Sequence, residues 1–142
     1  MKRFLILVAV VMMCLTVPAA SRGPAVHVIR HDDGGVLIKY IGRYVGWDDN
    51  GDLVRLDGKC MSACTLILGT FDNDRLCATR RAQFGFHSAI KEGEYTADGT
   101  AFMWFFYGAH VRRALARREW NWPSYHPEFL MIDAQELVRP CE

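Results

Sequence analysis

The sequence carries almost no net charge: 17 Lys plus Arg stand against 16 Asp plus Glu, a formal balance of +1. That balance excludes the broad basic footprint with which a protein holds nucleic acid. The one local basic run, Arg112, Arg113, Arg117 and Arg118, has helical spacing and reads as a solvated helix face. There is no apolar run of the ~20 residues that a membrane-spanning helix needs; the longest, Phe4 to Val17, is too short. Internal repeats and low-complexity tracts are missing, which excludes a solenoid and a disordered array. Only five prolines occur, two of them in WNWPSYHPEF, which reads as irregular. Strong metal-ligand spacing is lacking as well. Cys60-x3-Cys64 with a distant Cys77 is a weak zinc pattern, so no metal and no other cofactor is expected.

The first twenty residues have the layout of a secretory signal: Lys2 and Arg3, the uncharged stretch Phe4 to Val17, then small residues around Ala19 and Ala20. We expect a signal peptide over 1–20 and one domain over 21–142, with no stable membrane span after cleavage. Cleavage removes Lys2 and Arg3, leaving 15 basic against 16 acidic residues. It also removes Cys14. Cys60, Cys64, Cys77 and Cys141 remain, an even count that in an exported chain implies two disulfides with three pairings open. The expected location is therefore periplasmic or secreted.

Along the rest of the chain, Ala25–Arg30 alternates as a strand and HDDGG follows as a turn. Val36–Trp47 has helical spacing, DDNGD is a loop, and Leu53–Leu56 is a short strand ended by Asp57-Gly58. A helix over Cys60–Leu68 is entered at Ser62. Arg75–Ala78 and Gln83–His87 read as strands, and KEGEYTADG as exposed. Thr100–Trp120 reads as one long helix with Trp104, Tyr107, Val111 and Leu115 on one face. Its first half is apolar nearly all round, which implies deep burial or a contact between subunits of a homo-oligomer. A last helix starts at Asp133, with Glu136 placed for a capping box. Strands separated by helices imply an α/β fold with a mostly parallel sheet and crossover helices.

Ser62 is the residue with the most chemistry to offer. In a strand–turn–helix it would sit where free backbone N–H groups favour developing negative charge. The N–H of Ala63 and one from Gly34 or Gly35 could then serve a tetrahedral oxyanion. His87, 25 residues on, ends a later strand and could act as the base that a serine requires. Each residue also has a plain structural reading. Ser is a preferred N-cap, a histidine beside Phe84 and Phe86 fits a core, and Gly-Gly is a common turn.

The ordered set DDGG, helix, strand, DGKCMSAC, helix, strand, FGFH resembles the proteolytic subunit of Clp protease and its crotonase-fold relatives over about residues 25 to 90. GKCMSACTLIL with RLC and FGFHSA resembles small exported bacterial relatives of that protease more closely still. The resemblance implies a disulfide-stapled serine hydrolase of peptidase type, acting by acyl transfer on a peptide or small acyl substrate. Ser62 would be the nucleophile, His87 the general base, and Gly35 and Ala63 the oxyanion donors. It also implies that the family's first strand and helix are missing here. Aligning DAQE puts Phe129 where the family has its catalytic aspartate, so the adjacent Glu128 is the expected third member, with Asp133 better explained as a cap. No feature speaks for an ATP-driven partner. Two rivals remain: a non-catalytic binding or assembly module of the cell envelope that retains the fold, and, more weakly, a thiol redox protein using Cys60 and Cys64.

Overall fold

Parallel strands need a crossover between them, and the chain supplies one at once. β1 (Val26–Asp32) leads through the glycine turn into α1 (Leu37–Asp49), which returns the chain to β2 (Leu53–Met61). The computed structural model describes residues 23–120 and 124–142; the expected signal peptide lies outside the described residues. α1 buries Tyr40 and Tyr44, with Leu37, Ile41 and Trp47 packed beside them, as its spacing requires. β2 alternates, sending Val54, Leu56 and Cys60 into the core and Leu53, Arg55 and Lys59 outward.

The sheet order is β1-β2-β4-β7, where β4 is Gln83–Phe86 and β7 is Leu130–Asp133. β3 (Leu76–Ala78) pairs with β2 at Val54–Leu56, and β4 pairs with β2 at Lys59–Met61. β1, β3 and β4 are all parallel to β2, and β7 alone runs antiparallel, to β4. The fold is thus mixed α/β with a mostly parallel sheet. It carries two disulfides, Cys60–Cys64 and Cys77–Cys141. No described helix is long and apolar enough to cross a membrane.

Four elements differ from their sequence reading. β2 does not stop at Asp57-Gly58 but continues to Met61. A Cβ at Gly58 would lie 1.7 Å from the carbonyl oxygen of Arg30, so this glycine lets β1 approach where the β1–β2 register shifts. The expected helix over Cys60–Leu68 is instead the end of β2, a 3₁₀ turn over Ser62–Leu66, and the short α2 (Ile67–Thr70).

The long helix is two helices, α3 (Ala97–Phe106) and α4 (Ala109–Ala116). The break lets Tyr107 enter the core beside Val111 and Leu115, while Phe106 lies against Gly69 of α2. The last helix is a single 3₁₀ turn over Ala134–Glu136. Asp133 caps it through the N–H of Gln135, but Glu136 turns away to Arg118 at 2.7 Å, so the capping box does not close. The polar stretch KEGEYTADG is largely exposed as expected, and with Ile90 it forms the hairpin of β5 (Ile90–Lys91) and β6 (Glu94–Tyr95).

Candidate active site

The parallel strands β1, β2 and β4 finish near one another at one edge of the sheet. Asp32 of β1 lies opposite Cys60 of β2, and Met61 lies opposite Gly85 of β4. The residues just beyond these ends are Gly34-Gly35, Ser62 and His87, so the register alone assembles them at the carboxyl edge of the sheet. That edge is where open α/β sheets hold their ligands.

Ser62 Oγ lies 2.7 Å from His87 Nε2. Ser62 has φ 54°, a left-handed backbone that a residue with a Cβ adopts only at a cost of about 1–3 kcal/mol. The 3₁₀ turn that it opens has no side-chain cap, so the helix-cap reading of Ser62 does not describe it; its hydroxyl is turned to the histidine. Buried groups hold the turn from beneath. The Tyr44 hydroxyl donates to the Cys64 carbonyl at 3.1 Å, and the Thr65 hydroxyl donates to the Ser62 carbonyl at 2.6 Å. Thr65 has then used its proton, so the Tyr107 hydroxyl, 2.6 Å away, is the donor to it. Cys60 and Cys64 are both fully buried, so their bridge underlies the turn and does not cross the mouth of the cleft.

The glycine turn is fitted against Ser62. A Cβ on Gly34, whose φ is +86°, would lie 2.6 Å from Ser62 Cβ, 2.7 Å from the Met61 carbonyl oxygen and 2.8 Å from the Ala63 nitrogen. Only glycine permits both that backbone and that approach. The Gly34 N–H is taken by Asp32 Oδ1 at 2.9 Å, which also accepts from the Tyr40 hydroxyl. Burial, reinforced by Asp32, pushes the Tyr40 phenol up to about 12, so it stays protonated as that donor. The Gly35 N–H has no acceptor among the described residues, and Gly35 lines the cleft. Ala63, the other expected oxyanion donor, is wholly buried beside Gly34 and is not part of the cleft wall.

His87 is half-buried, and that burial holds its pKa below the ordinary histidine value. Neutral imidazole is therefore the favoured form near pH 7, with Nε2 able to accept the Ser62 proton when Nδ1 carries the ring hydrogen. Among the described residues no carboxylate contacts the ring. Phe129 packs against it instead, tilted by 35° with centroids 4.4 Å apart. The expected third member, Glu128, is not brought to His87. The β4–β7 register pairs Phe86 with Leu130, so continuing it by one residue sets Phe129 opposite His87. Glu128 lies in a bend before β7, exposed, and borders a second hollow of about 300 Å³ with Trp120 and His126. Asp133 serves as the cap already described.

Over Ser62 and His87 opens a cleft of about 750 Å³, bordered by the glycine turn, the start of α1, the β5–β6 hairpin, Met103 and Phe129. Asp32, Tyr40, Tyr44, Thr65 and Tyr107 were not singled out for this site from the sequence. Asp32 had a signal, since an Asp two residues before a glycine commonly ties down a turn. The tyrosines had none, because their spacing announced only apolar faces. Comparison with protein-family models found no match to this chain, and comparison with curated proteins found none either.

Proposed function

We propose that the chain is an exported serine hydrolase of the Clp-protease/crotonase type, acting by acyl transfer through Ser62 with His87 as base on a peptide or small acyl substrate. The observation that carries this reading is the 2.7 Å contact between Ser62 Oγ and His87 Nε2, made by a serine in a strained backbone at the carboxyl edge of the sheet. Strain of that kind persists only where the surroundings enforce it, and here a buried disulfide and two buried tyrosines do so. In the reaction His87 takes the Ser62 proton as Oγ attacks the acyl carbon, and water later releases the acyl group. The free N–H of Gly35 supports an oxyanion role for that residue. Two disulfides and the leader-like first twenty residues support export.

One observation favours the rival, a binding module that retains the site without turnover. Among the described residues no carboxylate contacts the His87 ring, and its aromatic neighbour is Phe129. Labelling of the oxidised mature protein with a fluorophosphonate separates the two readings. The wild type should label, Ser62→Ala should not, and His87→Ala should slow labelling by about 100-fold or more. A folded, disulfide-intact wild type that stays unlabelled would assign the chain to the binding module.

A further inference from the structure

The cleft above Ser62 is walled mainly by hydrocarbon. Val36, Ile38, Ile90 and Phe129 all border it, and they are 57%, 65%, 49% and 39% exposed. Single exposed apolar residues are ordinary on any protein. Four gathered around one concave site are not, and they mark a surface that binds apolar matter. Deeper in the wall stands Met103, whose unbranched side chain adapts to flexible chains. Asp33 and Lys91 are the two carboxylate or ammonium groups of the lining, and Asp33 already lies 3.1 Å from His31.

We propose that this cleft receives the aliphatic acyl chain of an uncharged, medium-chain ester, which Ser62 cleaves. The proposal rests on the serine-hydrolase reading above and narrows its acyl donor. Ser62 Oγ bonds to the ester carbonyl carbon as its proton passes to His87 Nε2. The carbon–oxygen bond to the alcohol then breaks, and the alcohol leaves with that proton. Water repeats the sequence on the acyl-serine and frees the carboxylic acid. An ester fits better than an amide for a reason the site itself supplies. With Phe129 rather than a carboxylate against its ring, the imidazolium formed in attack has no anion to stabilise it. The less reactive amide asks more of that state than an ester does.

The test is kcat/KM for p-nitrophenyl acetate, butyrate, octanoate and decanoate on the oxidised mature protein, alongside fluorophosphonate labelling and an apolar peptide anilide. The expected result is a rise of roughly threefold per added methylene up to octanoate, an anilide rate below the octanoate rate, and a flattened rise in Ile38→Glu and Ile90→Glu. Labelling without a chain-length rise, or an anilide preferred to octanoate, would overturn the ester proposal and leave the serine hydrolase standing. If nothing labels and no ester turns over, the cleavage is overturned, and calorimetry of Ser62→Ala with uncharged methyl octanoate decides the cleft alone. Saturable binding that Ile38→Glu weakens keeps the aliphatic ligand; no binding overturns it.

Discussion

At the scale of single residues, the site depends on the charge state of His87. The histidine must be neutral to accept the Ser62 proton, and burial disfavours its charged form, so its pKa lies below 6.5. Lowering the pH protonates it only once the pH falls through that depressed value. The rate of fluorophosphonate labelling should therefore be flat at neutral pH and fall on the acid side with a midpoint under 6.5. A midpoint above 6.5 would mean that an anion faces the ring, contrary to the Phe129 contact. Much of this pair was legible in the sequence, where Ser62 stood at the entry of a strand–turn–helix and His87 ended a later strand. Phe129 was legible only as a misplaced residue in a resemblance. That its ring lies on the imidazole follows from the β4–β7 register, which no local pattern reveals.

At the scale of elements, the turn beneath Ser62 is built by pieces that must approach very closely. Gly69 of α2 is the tightest of these: a Cβ there would lie 1.6 Å from the carbonyl oxygen of Phe106. Backbone cannot swing aside as a side chain can. Gly69→Ala should thus destabilise the fold by about 1–3 kcal/mol in urea titration. An unchanged midpoint would refute the close packing of α2 on the end of α3. The same contact explains why one expected helix is two. Periodicity through Trp104, Tyr107, Val111 and Leu115 is helical from end to end, and three of these four are buried as it foretold. The break between them answers to Gly69 and to the Thr65 hydroxyl, which lie some forty residues earlier in the chain.

At the scale of the whole molecule, the two disulfides do different work. Cys60–Cys64 joins residues four apart, whereas Cys77–Cys141 joins residues 64 apart and ties the C-terminal segment to β3, where Ala78 bridges to Pro140. Loop-closure entropy assigns the short bridge about 2 kcal/mol and the long one about 4 kcal/mol. Replacing Cys77 and Cys141 together by Ser should cost about that larger amount in equilibrium unfolding. Fluorophosphonate labelling of the molecules that remain folded should persist, because this bridge sits beside Arg55 on β2, away from the edge that carries Ser62 and His87. A loss of labelling in still-folded protein would show that the two ends of the sheet are coupled.

The sequence by itself determined the alternation of strands and helices, and with it the mostly parallel sheet. It also determined the pool of four cysteines, the glycine turn, and the serine and histidine, because each of these leaves a local mark in period, punctuation or composition. Tertiary structure alone decided the rest. It decided which cysteines pair, that Ser62 faces a histidine instead of capping a helix, that Phe129 and not Glu128 packs against the imidazole, and that Val36, Ile38, Ile90 and Phe129 meet around one cleft. Those outcomes are set by strand register and by contacts between distant segments. A shift of one residue in register reverses which side chains face the site, and nothing in the neighbouring sequence records that choice.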